Sequence, residues 1–133
     1  MRWVLSFVLG VAATLSLAGA HHSISAVYDS RRQVTVEGAV VEFHFINPHP
    51  YVTIEVPDPD GSRREWRAEM DNRSELSRAG MTGETLRPGD HVVVTGSPAR
   101  SEPARLYIRR LDRPEDGFSY EQVGSRPRVR GGN

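Results

Sequence analysis

The sequence contains no cysteine and no lysine, and both absences narrow what the protein can be. Without cysteine, neither a disulfide framework nor a thiolate metal site is available, so any metal must be held by His, carboxylate or backbone nitrogen. The 17 basic residues, all arginine, balance 17 acidic residues. The chain therefore lacks the strong positive charge of nucleic-acid binders, and we expect no nucleic-acid partner.

The first residues have the layout of a secretory signal peptide. Arg2 precedes the apolar stretch Val4–Leu17, and Ala18 and Ala20 fit the small-x-small cleavage rule. The stretch is shorter than the roughly 18 apolar residues that a membrane-spanning helix needs. We therefore predict a signal peptide over residues 1–20, a periplasmic or secreted protein, and no stable membrane insertion after cleavage.

Alternating apolar residues after residue 33 predict a meander of three strands. Residues 34–45 change phase near Gly38, which predicts a bulge there, with Val41 and the two following phenylalanines inward. The second strand buries Val52, Ile54 and Val56, and "PDPDG" makes a hairpin turn. The third strand, residues 64–70, buries Trp66, Ala68 and Met70, and its charged residues form a solvated ion-pair row.

A short helix over "SELSRAG" follows, with Ser74 as its N-cap, and then two more strands at 91–95 and 106–111. Three strands, a helix and two strands are the layout of an all-β, OB-like, five-stranded Greek-key barrel. We predict this barrel over residues 21–112 and a flexible tail, rich in Arg, Gly and Pro, over 113–133. In that tail Arg126, Arg128 and Arg130 are expected to be solvated.

Five histidines are the candidate metal ligands. Cleavage after Ala20 makes His21 the amino terminus, whose amine and ring Nδ1 chelate one ion; one more imidazole gives a three-nitrogen copper site. Cleavage after Ala18 leaves Gly19-Ala20-His21, a four-nitrogen site for Cu(II) or Ni(II). We favour the first cut, with His22 as a further ligand. His91 begins a strand and is expected to be a surface residue.

The second cluster lies in "EFHFINPHPY", where His44 and His49 flank a hairpin connection and can approach one another. Pro48 and Pro50 stiffen the chain on both sides of His49. Asn47 is a candidate for orienting a ligand by hydrogen bonding. The alternative is that these histidines are ordinary strand and turn residues without a metal.

The blocks "HHSISAVYD", "VTVEGAVVEFHFINPHPYVTIEV", "REWRAEM" and "LRPGDHVVVTG" together resemble a family of small exported bacterial proteins, the domain-of-unknown-function family six-one-five-two. The resemblance spans about residues 21–111 and implies export and an OB-like fold, but no established activity. Its motif residues here are His21, His22 and Ser23, then Ile46 to His49. Many relatives have Trp before the Ile-Asn-Pro-His block, where this chain has His44-Phe45, so His49 ranks above His44.

Three functions are consistent with these residues. The first is an exported metal-binding protein, for copper, using His21, His22, His49 and His44. The second is a metal-free OB-type module, in which Tyr51 and Tyr107 with Arg67 or Arg109 bind a small ligand or a protein partner. The third is a copper enzyme, which we rank last because no hydrolase elbow, zinc helix or phosphate loop is present.

Overall fold

The computed structural model describes residues 23–132. The predicted signal peptide and both His21 and His22 lie outside the described residues. In chain order, the elements are α1 (Ser23–Val27), β1 (Val34–His44), β2 (Tyr51–Pro57), β3 (Arg63–Glu69), α2 (Arg73–Arg78), β4 (His91–Pro98), β5 (Arg105–Arg113), β6 (Phe118–Val123) and β7 (Arg126–Arg130).

The first five strands close into the predicted OB-like barrel. Strand β1 pairs antiparallel with β2 and β4, β2 pairs with β3, and β4 pairs with β5. A short parallel pairing of β3 with β5, Arg67–Glu69 against Arg105–Tyr107, completes the circle. The prediction of a small all-β barrel with a helix between its third and fourth strands is therefore confirmed.

The barrel interior is filled by the residues that strand alternation predicts. Val52 and Ile54 of β2, Ala68 of β3 and Met70 after it are fully buried, and so is Leu76 of α2. Each large apolar side chain buried in this way contributes roughly 1.5–3 kcal/mol through the hydrophobic effect. The period-two pattern was therefore sufficient to locate this part of the core.

The bulge of β1 lies at Val41 and not at Gly38, so that prediction was wrong. The β1–β2 register shifts between Val40 and Glu42, and Val41 is 40% exposed instead of inward. Gly38 has another role, because a Cβ there would collide with the backbone carbonyl of Glu55. The glycine allows close approach of β2, and the phase change three residues later comes from the bulge.

Helix α2 begins two residues earlier than predicted. Asn72, not Ser74, is the N-cap: its side chain accepts a hydrogen bond from the Glu75 amide at 3.0 Å. Leu76 is buried as expected, and Gly80, with φ of +99°, follows the helix end. Asparagine at an N-cap offers the same acceptor as serine, so residue type alone did not separate the two positions.

The segment for which the sequence predicts a flexible tail forms two further strands. Strand β6 pairs with the second half of β5, and β7 pairs with β6. Phe118 and Tyr120 of β6 are 3% and 0% exposed and belong to the barrel core. Low apolar content suggested disorder, but two large aromatic residues at period two bury enough surface to order the hairpin.

Candidate functional site

His49 lies in the connection between β1 and β2, at one end of the barrel. The Asn47–Pro48 peptide bond before it is cis. The Met70 amide donates to the Pro50 carbonyl at 2.8 Å, which ties this connection to the end of β3. Within residues 23–132, the Nδ1 atom of His49 is buried and has no hydrogen-bond partner. Buried polar atoms are nearly always satisfied, so this unpartnered ring nitrogen marks His49 as the candidate ligand in this connection.

His44 is held in a stack on the outer surface of the barrel. Its ring lies 4.2 Å from the Tyr51 ring at an interplanar angle of 18°, and its Nε2 is 3.3 Å from Glu42 Oε2. The Arg67 guanidinium lies 3.9 Å from the centre of the same Tyr51 ring. His44 is on β1 and Arg67 on β3, so they approach Tyr51 from opposite sides. These contacts give His44 a packing role on the outer surface of the barrel.

The other two residues singled out by the sequence do not join His49. Asn47 is exposed, and its side chain does not satisfy the His49 Nδ1 atom. His91 pairs with Glu37, Nε2 to Oε1, at 2.8 Å. It lies opposite Ala39 of β1, five residues or about 16 Å along the strand from His44. His91 is therefore a surface residue remote from the β1–β2 connection, as predicted.

The segment that follows His22 docks onto the barrel through Tyr28, which the sequence analysis did not single out. The Tyr28 hydroxyl donates to Glu69 Oε2 at 2.6 Å and accepts from Arg105 Nε at 2.9 Å. Arg105 Nη2 lies 3.0 Å from the same carboxylate oxygen. Burial, and then the Glu69 carboxylate, raise the pKa of Tyr28 above its ordinary value, so the hydroxyl keeps its proton.

Backbone hydrogen bonds hold the same segment against the connection between β4 and β5. The Asp29 amide donates to the Pro98 carbonyl at 2.9 Å, and the Arg100 amide donates to the Val27 carbonyl at 2.8 Å. In OB folds the connections β1–β2 and β4–β5 border the usual ligand face. Here the chain's own N-terminal segment lies on the second of these connections, while His49 lies in the first.

The geometry also relates Tyr28 to His49. Glu69, the carboxylate that Tyr28 contacts, is the register partner of Tyr51, two residues after His49. The segment that begins directly after His22 is therefore anchored at one end of the β2–β3 pair. The same end adjoins the β1–β2 connection, which contains His49. The sequence suggested that Glu69 belongs to a solvated ion-pair row, which was wrong: Glu69 is 8% exposed and pairs with Arg105.

The tyrosines of the metal-free alternative are already covered. Tyr107 is 4% exposed, with the Tyr28 ring 5.7 Å away and the Arg109 guanidinium 5.4 Å from its ring centre. Burial raises its pKa above the ordinary tyrosine value. Tyr51 lies between His44 and Arg67, as described above. Stacking of a ligand on either ring would require these partners to move.

Within residues 23–132, two kinds of feature are absent: a group of metal ligands and a membrane-spanning helix. No three His, Asp or Glu side chains of this part converge into a group that could hold a metal ion. No helix within it has the length and hydrophobicity to cross a membrane.

Comparison with known proteins assigns the chain to a family. The model of the Family of unknown function (DUF6152) matches residues 9–106, and the protein belongs to this family. This confirms the resemblance carried by the paired histidines and the Ile-Asn-Pro-His block. Among curated proteins there is no significant match.

Solved structures give distant similarities to TiaS. A ZRD-deleted TiaS mutant in complex with agmatine is 19% identical, with a TM-score of 0.47 over 70% of this chain and 26% of that chain. Apo TiaS, tRNAIle2 agmatidine synthetase, is 15% identical, with a TM-score of 0.41 over 79% of this chain and 30% of that one. This chain thus spans less than a third of those proteins, and the likeness says nothing about what it does.

Proposed function

We propose that the protein is an exported metal-binding protein that takes copper through a mature amino terminus at His21. The ligands are the terminal amine, the His21 ring and the ring of His49, with His22 as a further ligand. The observation that carries the proposal is the buried His49 Nδ1 atom, which has no hydrogen-bond partner within residues 23–132. Imidazole and amine nitrogens are the donors that copper prefers.

The docked N-terminal segment supports the same ligand set. Tyr28 fixes the chain six residues after His22, at the end of the β2–β3 pair next to the His49 connection. Anchoring at this point limits how far the two preceding histidines can move from the barrel, which lowers the entropy cost of bringing them to His49. A terminus without this anchor would pay that cost at each binding event.

In this proposal His44 contributes less to metal binding than His49. Its ring is stacked on Tyr51 and its Nε2 contacts Glu42, so ligation would require it to leave both partners. We therefore expect His44 to affect metal affinity less than His49. The order agrees with the position of His49 inside the Ile-Asn-Pro-His motif.

The experiment is native mass spectrometry of the protein exported with its own N-terminal segment, followed by Cu(II) titration against a competing chelator. We expect a mass that begins at His21 with one copper. His21→Ala and His49→Ala should each weaken Cu(II) binding by at least about 100-fold, more than loss of an outer-shell partner costs.

His91→Ala is the matched control, since it removes an imidazole remote from the β1–β2 connection and should leave the affinity unchanged. Equal binding by wild type and by the variant lacking both His21 and His49 rings would overturn the proposal. A mass beginning at Gly19, with binding insensitive to His49, would replace it with the four-nitrogen terminal site.

A further inference from the structure

The outer face of the β6–β7 hairpin carries a row of arginines. Register pairs place Arg126 opposite Val123, Arg128 opposite Glu121 and Arg130 opposite Ser119. Because opposite residues in a sheet share a face, all three arginines point away from Phe118 and Tyr120, which face the core. All three are exposed, and they follow one another at a spacing of about 7 Å.

None of the three arginines of this row forms a salt bridge within the described residues. Neighbouring arginines are paired: Arg110 with Asp112 at 2.7 Å, and Arg113 with Asp90 and Asp116 at 2.7 Å each. In contrast, no carboxylate of residues 23–132 lies within salt-bridge distance of the three β7 arginines, although Glu121 is opposite one of them. Strand β7 thus presents three positive charges, and the outer face of the hairpin includes one carboxylate, Glu121.

The hairpin tip adds an apolar contact to this charge. Val123 is 40% exposed, shares the arginine face and comes directly before the turn residue Gly124. Arginine guanidinium groups bind phosphate oxygens in a bidentate manner, which suits a surface lined with phosphate groups. Cationic residues next to an exposed apolar side chain are the combination by which proteins bind at a lipid interface without crossing it.

Two other partners fit the hairpin less well. Pro127 lies in the middle of β7 and has no N–H, so the free edge of the strand is a poor template for an added strand. The outward residues of β6 and β7 include no aromatic side chain, whereas single-stranded nucleic-acid binders stack bases on aromatic rings. A phosphate-bearing membrane surface requires neither feature.

We infer that the outer face of the β6–β7 hairpin binds anionic phospholipid headgroups at a membrane surface, with Arg126, Arg128 and Arg130 contacting the phosphates. This surface lies on strands that take no part in the proposed metal site, so the two proposals are independent. The attachment is peripheral and is weakened by salt, since it depends on exposed charges.

Vesicle co-sedimentation tests the inference. The wild-type chain is mixed with vesicles of phosphatidylcholine and phosphatidylglycerol in equal parts, and with vesicles of phosphatidylcholine alone. Each arginine near an anionic surface raises the partition coefficient by about fivefold, so changing all three to Gln should lower binding to the anionic vesicles by about 100-fold. Each single variant should bind the anionic vesicles about fivefold more weakly than wild type. These variants still test the inference if the triple variant does not fold.

The matched control changes three exposed arginines elsewhere, Arg31, Arg63 and Arg64, to Gln. It has the same net charge as the triple hairpin variant, and we expect it to bind anionic vesicles within about threefold of wild type, since distant surface charges are screened. All proteins share one N-terminal segment, so differences between them report the changed arginines.

Three results would overturn the inference. One is equal loss in the hairpin variant and in the control, and another is wild-type binding to phosphatidylcholine alone that matches binding to the anionic vesicles. The third is salt-sensitive binding of heparin or single-stranded DNA without binding of anionic vesicles, which would assign the row to a soluble polyanion.

Discussion

Replacing Tyr28 with phenylalanine removes one hydroxyl and leaves the ring in place against Tyr107. That hydroxyl donates to Glu69 Oε2 at 2.6 Å and accepts from Arg105 Nε at 2.9 Å. Glu69 is 8% exposed, so water does not readily replace the lost donor. Arg105 Nη2 remains 3.0 Å from the carboxylate, and the Arg105 side chain is 21% exposed, so water can replace the acceptor that its Nε loses. The uncompensated loss is the hydrogen bond to Glu69.

A hydrogen bond to a charged group contributes about 1.5–3 kcal/mol, and we expect Tyr28→Phe to cost about 2 kcal/mol. For a domain of this size that corresponds to a fall in Tm of roughly 8 °C. If the N-terminal segment undocks before the barrel unfolds, the same change makes its local opening about 30-fold more frequent.

Amide hydrogen exchange measures the local effect, and urea denaturation measures the global one. The Asp29 and Arg100 amides report docking, because they bond the carbonyls of Pro98 and Val27. Tyr51→Phe is the control, since the Tyr51 hydroxyl has no hydrogen-bond partner among the described residues. We expect that variant to change stability by less than about 0.5 kcal/mol. Unchanged exchange at both amides in Tyr28→Phe would refute the view that this hydroxyl holds the segment.

Two further predictions concern the barrel itself. Gly38→Ala should lower the free energy of unfolding, measured by urea denaturation, by about 1–3 kcal/mol, because the new Cβ meets the Glu55 backbone, which cannot rotate away. Gly83→Ala is the control: its Cβ would lie 3.7 Å from the nearest atom, and the loss of stability should be far smaller. Equal losses in the two variants would contradict this explanation. Burial raises the pKa values of Tyr28, Tyr107 and Tyr120, so the unfolded chain loses these protons first. The free energy of unfolding should then fall above about pH 10, by up to about 1.4 kcal/mol per pH unit for each tyrosine, and a flat profile there would show that they are not protected.

Period-two alternation predicted the barrel well where strands are regular. Val52 and Ile54 are buried as expected, and so are Ala68 and Met70. The pattern was misread at β1, because the extra residue of the bulge, Val41, is apolar and resembles a core position. A glycine near a phase change indicates either a bulge or a close backbone approach, and only the structure separates the two for Gly38.

The hairpin after β5 was missed for a different reason. Its composition is dominated by Arg, Gly and Pro, which is typical of disordered segments. What orders it is the burial of two aromatic side chains on strand β6, Phe118 and Tyr120, against a barrel that already exists. A composition average does not register two residues, whereas their burial energy is large.

Only the part of the candidate site that lies on one hairpin could be predicted from the sequence. His44 and His49 lie on one hairpin, so their neighbourhood follows from the strand assignment. The contacts of Tyr28 with Glu69 and Arg105 join residues 41 and 77 positions apart. Glu69 also alternates with buried Ala68 and Met70, which predicts exposure, but in the structure it is buried and contacts Tyr28 and Arg105.

Strand β5 is shared by the closed barrel and the hairpin, and this affects how the protein can be trimmed. The family match ends at residue 106, the second residue of β5, whereas that strand continues to Arg113 and its second half pairs with β6. A version cut at the end of the family match would lose most of its closing strand. A cut after Arg113 would keep the barrel strands but uncover Leu111, against which Tyr120 pairs. The folding unit therefore includes β6, and an affinity tag inserted at residue 113 would interrupt it.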